Sequence, residues 1–403
     1  MPAQSPGTGT GAPHAYPVGP LRSLFEPQHE DFRRSVAQFV ARSVVPHAER
    51  WDEERVIDRA TWLQAGAQGL LGLAVPEDLG GGGTSDYRFR VVVQEELSKV
   101  GAAALVSSLA LQDDIVIPYV LDLGTDEQRR RWLPGSCSGE LIGAIAMTEP
   151  SAGSDLRAVR TAARRSGSDW MLNGSKTFIT SGIQSDYVIV YARGGAVDDE
   201  GTSLFVVERG MSGFTRGRQL HKIGLHAQDT AELFFEDVRV PAANLLGTPG
   251  RGFQHLVERL PRERLSIAVA AVAAARAALT WTVQYTRERS AFGGPLSAMA
   301  TVQATLAEVA TEVEVTECFV DAAVLALNAG TLTAVDAAKA KWWATDVQSR
   351  VVDRCLQLFG GYGYMVEYPI AKAYLDARVQ TIYGGANEVM KMIIGRDLAG
   401  PRP

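Results

Sequence analysis

The chain has 403 residues, of which 46% are hydrophobic and 21% are charged, and its formal net charge is −6. That length predicts two or three domains with a sizeable core, and the dispersed Lys and Arg residues argue against nucleic acid or an anionic membrane as a partner. No apolar run approaches the roughly 20 residues that cross a bilayer, and the widely separated cysteines predict neither a metal site nor a disulfide framework. We therefore expect a soluble protein of the reducing cytoplasm.

The first part of the chain divides into a leader and a helical block. Residues 1–24 are rich in Pro, Gly, Ser, Thr and Ala and have no signal-peptide pattern, so we expect a disordered leader. Between residues 25 and 142 apolar side chains recur at helical spacing, as at Phe32, Val36 and Phe39. This spacing predicts an N-terminal helical domain.

The pattern changes twice in the rest of the chain. Residues 143–248 contain short runs rich in β-branched and aromatic residues, which predict a β domain. Two of these runs flank Asn173-Gly174, a dipeptide typical of hairpin turns because both residues tolerate positive φ. Residues 249–403 return to long helices rich in Ala and Val. The predicted fold class is therefore α+β, with the β domain between two helical domains.

A polar loop stands at the start of the predicted β domain. From 146 to 155 it reads Ala-Met-Thr-Glu-Pro-Ser-Ala-Gly-Ser-Asp. Pro150 and Gly153 shape its backbone, and Thr148 and Ser154 supply hydroxyls that donate or accept hydrogen bonds. The composition predicts a loop that holds a polar ligand, with an ordinary surface loop as the alternative.

A proline inside a predicted helix marks a second polar segment. Pro261 removes one helical hydrogen bond and is expected to kink the helix, and Arg262, Glu263 and Arg264 follow it. The apolar residues after them predict that the helix is buried. A carboxylate there becomes a better proton acceptor once a ligand expels water, because desolvation raises its pKa. An exposed Glu-Arg pair is the alternative.

A series of motifs follows in fixed order along the chain. They are Gly-Thr-Asp-Glu-Gln (124–128), Thr-Glu-Pro (148–150), Lys-Thr-Phe-Ile-Thr (176–180), Ala-Gln-Asp-Thr-Ala-Glu-Leu-Phe-Phe-Glu-Asp-Val-Arg-Val-Pro (227–241), Arg-Ser-Ala-Phe-Gly (289–293), Gln-Leu-Phe-Gly-Gly-Tyr-Gly-Tyr (357–364) and Ile-Tyr-Gly-Gly-Ala-Asn-Glu (382–388). Together they resemble the acyl-CoA dehydrogenase family from about residue 25 to residue 398. The resemblance implies an N-terminal helical domain, a middle β-barrel-like domain and a C-terminal four-helix bundle.

The resemblance also implies an activity. It is the FAD-dependent α,β-dehydrogenation of an acyl thioester, from acyl-CoA to trans-2-enoyl-CoA, in fatty acid metabolism. It further implies a homo-oligomer, a tetramer with a dimer as the minimum, and an electron-transfer flavoprotein as the electron acceptor. No metal is implied.

Positions that match the family's contacts to non-covalent FAD come from several parts of the chain. The resemblance places Phe178 against the flavin ring, the Thr180 hydroxyl near the flavin N5, and Arg289 on the FAD pyrophosphate, a task suited to a guanidinium group. A neighbouring subunit completes part of the set. The matching residues are Met147, Thr148, Ser154, Phe178, Ile179, Thr180, Arg289, Gln357, Leu358, Gly360, Gly361, Ala386, Asn387 and Glu388.

The position of the catalytic base narrows the resemblance to a subgroup. Most family members carry this glutamate directly after the tyrosine of the C-terminal motif, where the chain has Gly384. A smaller group, including the long-chain and isovaleryl types, carries it on the kinked helix, at the position of Glu263. The resemblance therefore identifies Glu263 as the base that abstracts the α-proton, with Arg264 beside it as a catalytic partner. The residues matched to substrate contacts are Ser154, Gln254, Arg264, Tyr383, Gly384 and Gly385.

Two departures from the family pattern concern the cofactor and the substrate. Ala300 stands where the family commonly has a glutamine that reaches a neighbouring subunit's FAD, and Gln303 is the candidate to replace it. Gln254 stands where the long-chain relatives have a tyrosine. Cofactor affinity, the subunit contact and the acyl or pantetheine contacts are therefore expected to differ from the family's.

Three other functions remain open on the sequence. A thioester of an acyl carrier protein, in secondary metabolism, is an alternative substrate, and the arginines at 129–131 are candidates to meet an acidic carrier. A flavin oxidase or monooxygenase is a second alternative, which Glu263 argues against, and a non-catalytic binding protein is the third. The length and branching of the acyl chain stay open, because they depend on how the helices around Leu97, Leu105 and Leu109 pack.

Overall fold

The computed structural model describes residues 22–195 and 201–400. The predicted leader lies outside the described residues up to position 21. Its last positions are packed, because the Arg22 guanidinium pairs with Glu95 at 2.7 Å and Leu24 is buried. Ordered structure therefore begins before the predicted boundary at residue 25.

Helices form the N-terminal domain. Thr125 begins one of them with a capping box, since its hydroxyl accepts from the Gln128 N–H while the Gln128 side chain accepts from the Thr125 N–H. Short π-helical segments, Val40–Val44 and Leu111–Val116, continue the first helix and join the fifth to the sixth. The helices are Pro27–Phe39 (α1), Ala48–Glu54 (α2), Arg59–Ala67 (α3), Arg88–Lys99 (α4), Ala103–Ala110 (α5), Ile117–Leu123 (α6) and Asp126–Ser138 (α7).

The middle of the chain forms one sheet. Its strands are Gly143–Ala146 (β1), Ala162–Ser166 (β2), Asp169–Thr180 (β3), Tyr187–Gly194 (β4), Thr202–Glu208 (β5), Phe214–Gln219 (β6), Thr230–Val240 (β7) and Leu245–Leu246 (β8). The order is β6-β7-β3-β2-β4-β5-β8, and β1 pairs in parallel with β4.

Strand β4 joins the sheet to the N-terminal helices because both of its faces are buried. Tyr187, Ile189 and Tyr191 belong to a hydrophobic cluster shared with α6 and α7. Val188 and Val190 point to the other face and pack with β3 and β7. The sheet is thereby fixed against α6.

The hairpin predicted at Asn173-Gly174 is wrong. Both flanking runs belong to β3, which pairs with β7 and shifts register between Leu172 and Gly174. Gly174 has a φ of 146°, and a Cβ there would lie 2.7 Å from the Thr161 Cα. The glycine therefore marks a β-bulge with close backbone approach. The turn lies instead between β2 and β3, where Gly167 has a φ of 64°.

The C-terminal domain is a bundle of long helices with a small hairpin. The helices are Gly252–Glu288 (α8), Ala300–Asn328 (α9), Ala334–Phe359 (α10), Pro369–Ala377 (α11) and Asn387–Ala399 (α12), and the hairpin strands are Ser290–Ala291 (β9) and Gly294–Pro295 (β10). Helix α8 continues through Pro261. Short 3₁₀ helices lie at Glu77–Leu79, Leu156–Ala158, Ala242–Asn244, Leu296–Ala298, Gly360–Tyr364 and Arg378–Thr381.

Helices α8 and α10 lie side by side and run in the same direction. Towards their C-terminal ends Tyr285 stacks on Phe359, with 4.1 Å between the ring centroids. Further towards their N-terminal ends Arg264 and Lys341 both approach Gly385. Arg264 of α8 and Lys341 of α10 therefore lie at the same height along the bundle axis.

Two helical stretches, 103–123 and 252–288, are long and apolar enough to span a membrane, so the expectation that no such stretch exists is wrong. In the most apolar 18-residue part of each stretch, however, 78% and 67% of the residues, respectively, are buried inside the protein. Such burial is typical of the core helices of globular proteins.

Candidate active site

One face of α8 lines a cavity of about 160 Å³, here called the α8 cavity. The α8 residues that line it are Glu263, Ser266, Ile267, Ala270 and Ala274. They share a face because an α-helix has 3.6 residues per turn. On this face of α8 the Glu263 carboxylate therefore lies next to side chains that are mostly apolar.

Glu263 is buried, with 4% of its surface exposed. The Tyr119 hydroxyl, on α6, donates a hydrogen bond to Oε1 of Glu263 at 3.1 Å. Burial raises the pKa of Glu263 to about 7, against the opposing effects of the Tyr119 hydrogen bond and the charges of Arg264 and Arg259. A carboxyl with a pKa near neutrality is suited to take up a proton at the working pH.

A buried polar network lies behind Ser266. The Ser266 hydroxyl donates to Oδ2 of Asp114 at 2.5 Å and accepts from Nε2 of Gln94 at 3.0 Å. The Arg90 guanidinium lies 3.5 Å from carboxylate oxygens of Asp113 and Asp114. The network fixes Ser266 one turn from Glu263 and places these charges behind the cavity wall.

A glycine turn also lines the α8 cavity. Gly384 and Gly385 have φ values of +63° and +96°, in the region that favours glycine. A Cβ on Gly384 would lie 2.2 Å from Cδ1 of Ile267. Ile267, one turn after Glu263, therefore fills the space that a side chain at position 384 would need.

Two buried cations approach this turn. Nε of Arg264 lies 3.5 Å from the Gly384 carbonyl oxygen, and Nζ of Lys341 donates to the Gly385 carbonyl at 2.8 Å and to Oδ1 of Asn387 at 3.0 Å. Burial lowers the pKa of both cations, that of Lys341 to about 7. The Asn387 side chain is thereby engaged inside the protein, which leaves its backbone N–H, in the first turn of α12, for a ligand.

The polar loop is anchored by a buried ion pair between Glu149 and Lys176. One oxygen of Glu149 accepts from the Lys176 ammonium at 2.9 Å and from the Thr161 N–H at 2.9 Å. The ammonium also donates to the Met147 carbonyl at 2.9 Å. Burial lowers the pKa of Lys176 to about 8, against the attraction of Glu149. The pair ties the loop to β3, with Thr148 half-buried and Ser154 exposed.

The end of β3 presents an aromatic ring to solvent. Phe178 is 68% exposed and has a φ of 60°, which for a bulky residue costs about 1–3 kcal/mol. The strand permits it because its register shifts between Lys176 and Ile179. Ile179 points into the core, and Thr180 lines the α8 cavity. The bulge thus exposes an apolar surface close to the cavity.

The structure brings some of the predicted site residues together and leaves others apart. Met147, Thr180, Glu263, Tyr383 and Gly384 line the α8 cavity. Gln254 does not line it, since it is exposed in the first turn of α8 and bonds to Arg251 and Glu258.

A second cavity, of about 520 Å³, holds another part of the predicted set. The Arg289 guanidinium lies 5.4 Å from the ring centre of Tyr362 and pairs with no carboxylate of the described residues. The two cavities share no lining residue. The predicted residues in the second cavity are Arg289, Gln357, Leu358, Gly360 and Gly361.

The sequence missed part of the site. Leu97, Leu105 and Leu109 do not line the α8 cavity, because they face the core of the N-terminal helices. Tyr119, the hydrogen-bond partner of the buried Glu263, follows apolar residues in the sequence and had no signal that could have found it. Lys341 likewise stands in an Ala-rich helix without a motif of its own.

Comparison with known proteins decides the family. The N-terminal, middle and C-terminal domains of acyl-CoA dehydrogenases match residues 26–140, 144–238 and 250–399 of this chain. The chain is 48% identical over 381 residues to the mitochondrial long-chain specific acyl-CoA dehydrogenase of Sus scrofa, covering 94% of this chain and 88% of that protein. The chain belongs to the acyl-CoA dehydrogenase family.

Two solved structures of the family confirm the three-domain fold. An acyl-CoA dehydrogenase of Geobacillus kaustophilus is 46% identical, with a TM-score of 0.89 over 93% of this chain and 98% of that one. An acyl-CoA dehydrogenase of Bacillus anthracis, in complex with FAD, is 29% identical, with a TM-score of 0.87 over 93% of this chain and 67% of that one. The family consists of FAD-dependent oxidoreductases, and the likeness to the long-chain enzyme agrees with the subgroup inferred from Glu263.

Proposed function

We propose that this acyl-CoA dehydrogenase oxidises an acyl-CoA to its α,β-unsaturated product, with FAD as cofactor and Glu263 as base. One observation carries the proposal. The buried carboxylate of Glu263, with a pKa of about 7, shares a cavity with Thr180 at the end of β3 and with Gly384 in the glycine turn.

The residues present fit FAD. When bound, FAD accepts the β-hydrogen together with the two electrons of the C–H bond. Phe178 offers an exposed apolar ring to a flat partner, and Arg289 offers to a pyrophosphate a guanidinium that pairs with no carboxylate in the part of the chain that the structure describes. A Cβ at Gly360 or Gly361 would lie within 4 Å of no described residue other than its chain neighbours, so the backbone beside Arg289 is open to a ligand.

Glu263 is proposed to take the α-proton. Tyr119 holds Oε1, so we assign Oε2 as the oxygen that faces the substrate. After it accepts the proton the carboxyl is neutral, the form that a buried site tolerates best. Gly384 and Gly385 have no side chain and permit close approach of the thioester to the backbone.

Replacing Tyr119 by Phe is expected to raise the pH at which flavin reduction is half-maximal. The lost hydrogen bond favoured the charged carboxylate, and a bond to a charged group is worth about 1.5–3 kcal/mol, or roughly one to two pH units. Single-turnover rates of flavin reduction, measured from pH 5 to 9, give the midpoint. Tyr374→Phe, at a half-exposed tyrosine, is the control. An unchanged or lower midpoint would show that Tyr119 does not tune the base.

Replacing Arg289 by Gln is expected to weaken FAD binding by about 10-fold to 100-fold. The reason is that charge-assisted hydrogen bonds contribute about 1.5–3 kcal/mol. Equilibrium titration of apoprotein with FAD measures the change, and Arg218→Gln, whose side chain is 81% exposed, is the matched control. Equal affinity in both variants would remove Arg289 from the cofactor site.

A homo-oligomer is part of the proposal, with a tetramer expected and a dimer as the minimum. The residues assigned to FAD are divided between two cavities that share no lining residue. This division supports a site that a second subunit completes. Gln303, the candidate to replace the family's glutamine, donates to the Ser297 carbonyl at 3.0 Å, so its amide nitrogen is engaged locally in the single chain.

The proposed electron acceptor is an electron-transfer flavoprotein, as the family resemblance implies. A carrier-protein substrate gains no support from the arginines at 129–131. Nε of Arg129 donates to the Leu121 carbonyl at 2.7 Å, and Arg131 pairs with Glu208. These two side chains are engaged within the protein, so acyl-CoA is the proposed substrate.

Anaerobic mixing with thioesters tests the proposed function. FAD-loaded protein is combined with saturated acyl-CoAs of increasing chain length, and the oxidised flavin band and the product are followed. We expect bleaching of the band together with formation of the enoyl-CoA. If no acyl-CoA of the panel bleaches the flavin, the proposed function is wrong. Rapid peroxide release in air would identify an oxidase instead.

A further inference from the structure

The α8 cavity extends far beyond the base. It reaches Ala274, about 16 Å along α8 from Glu263 at 1.5 Å per residue. Gln348 lines it from α10, two turns beyond Lys341, the residue that holds the glycine turn. Because α8 and α10 run in the same direction, Gln348 lies at the end of the cavity that is remote from Glu263.

This remote end is polar. Ser107, Asp376 and Gln380 line the cavity together with Gln348. Ser107 precedes Tyr119, the hydrogen-bond partner of the base, by roughly three helical turns on a helical segment that runs toward the base, so Ser107 lies far from Glu263. Apolar residues of α8 separate the two ends. The cavity therefore has the Glu263 carboxylate at one end, an apolar wall along its length, and amide and hydroxyl groups together with the Asp376 carboxyl group at the other.

One acceptor at this end has no donor. Oε1 of Gln348 has no hydrogen-bond partner among the described residues, although the side chain is only 3% exposed. Oε1 of Gln380, by contrast, accepts from the Tyr383 hydroxyl at 2.8 Å, and the Ser107 hydroxyl accepts from Gln228 at 2.8 Å. Buried acceptors without a donor are rare, so Gln348 calls for a donor that a ligand or a water molecule brings.

We propose that the acyl substrate carries a hydroxyl group on its distal carbons and that Oε1 of Gln348 accepts its hydrogen bond. A hydroxyl is the simplest group that gives a donor to Gln348 and can also accept from neighbours. A plain hydrocarbon chain leaves the Gln348 oxygen unpaired. The inference rests on the proposed function, because it assigns the acyl chain to the α8 cavity.

The size of the cavity selects the test compounds. A protein cavity of about 150 Å³ holds a ligand the size of benzene, and the α8 cavity measures about 160 Å³. Chains of six and eight carbons are therefore suitable. The probes are hexanoyl-CoA and octanoyl-CoA, each paired with the same thioester bearing a terminal hydroxyl, and the readout is kcat/KM for anaerobic flavin reduction.

We expect at least a tenfold preference for one hydroxylated thioester over its plain counterpart, because a site that binds a hydroxyl rejects analogues without it. Gln348→Leu, which keeps a similar side-chain volume, is expected to abolish or reverse the preference. The control variant Gln64→Leu changes an exposed glutamine of α3 and is expected to keep it. The FAD content and the thermal stability of each variant verify its fold, and Gln348→Met is the substitute if the leucine variant fails to fold.

The outcomes distinguish a failure of the proposed role of Gln348 from a failure of the proposed dehydrogenase function. If the plain thioesters reduce the flavin as well as the hydroxylated ones do, water satisfies Gln348 and the inference is wrong, while the proposed function stands. If the preference exists but survives in Gln348→Leu, the assignment to Gln348 is overturned. If no thioester reduces the flavin, the proposed function fails, and the inference fails with it.

Discussion

Glu263→Gln is expected to slow flavin reduction by acyl-CoA by about 1,000-fold, within the range of roughly 10²–10⁴ that a positioned general base contributes. Glutamine has the shape of the neutral carboxyl and still accepts from Tyr119, so the site is expected to keep its geometry. It has no carboxylate to accept the α-proton. Stopped-flow absorbance of the oxidised flavin band under anaerobic conditions measures the rate.

The matched control is Glu53→Gln, which changes an exposed glutamate of α2 and is expected to keep the wild-type rate. FAD content and thioester binding of Glu263→Gln must equal those of the wild type for the comparison to count. A rate within threefold of the wild type would then rule out Glu263 as the base.

The same substitution is expected to stabilise the protein, and more so as the pH rises. Burial raises the pKa of Glu263 from 4.5 to about 7, so the folded state binds the proton more tightly than the unfolded chain does. The stability from this group is complete below pH 4.5 and is lost as the pH rises through 7. Each pKa unit corresponds to about 1.4 kcal/mol, so the wild type forfeits about 3 kcal/mol at pH 8.5 that Glu263→Gln retains.

Melting temperatures at pH 5 and pH 8.5 test this second prediction. Both proteins are saturated with FAD, because a bound ligand itself raises stability. We expect similar melting temperatures at pH 5 and a higher value for Glu263→Gln at pH 8.5, with Glu53→Gln following the wild type at both. A variant that loses stability relative to the wild type as the pH rises would contradict the raised pKa.

The architecture was predictable because its signals are local. Helical spacing at residues such as Val36 and Phe39 and β-branched runs in the middle of the chain reflect burial within single elements. The errors arose where tertiary contacts override local preference. Asn173-Gly174 has the composition of a turn, but its glycine serves the close approach of Thr161. Arg22 belongs to a segment of disordered composition and is held by a distant carboxylate, Glu95.

The candidate site divides in the same way. Glu263 was predicted as the base because the family resemblance pairs it with the glycine at 384, and the structure adds that Ile267 occupies the space beside that glycine. Tyr119 and Gln348 were not found. They come from α6 and α10, far from Glu263 in sequence, and only the packing of those helices against α8 brings them to one cavity.

Exchange of the α-hydrogen with solvent tests the assignment of Glu263 most directly. Wild type and Glu263→Gln, both loaded with FAD, are incubated anaerobically with acyl-CoA in D₂O, and deuterium at the α-carbon is measured by mass spectrometry. A base that takes the α-proton and returns a solvent-derived one predicts deuterium incorporation by the wild type and almost none by the variant. Equal incorporation by the two proteins would show that another group removes the proton.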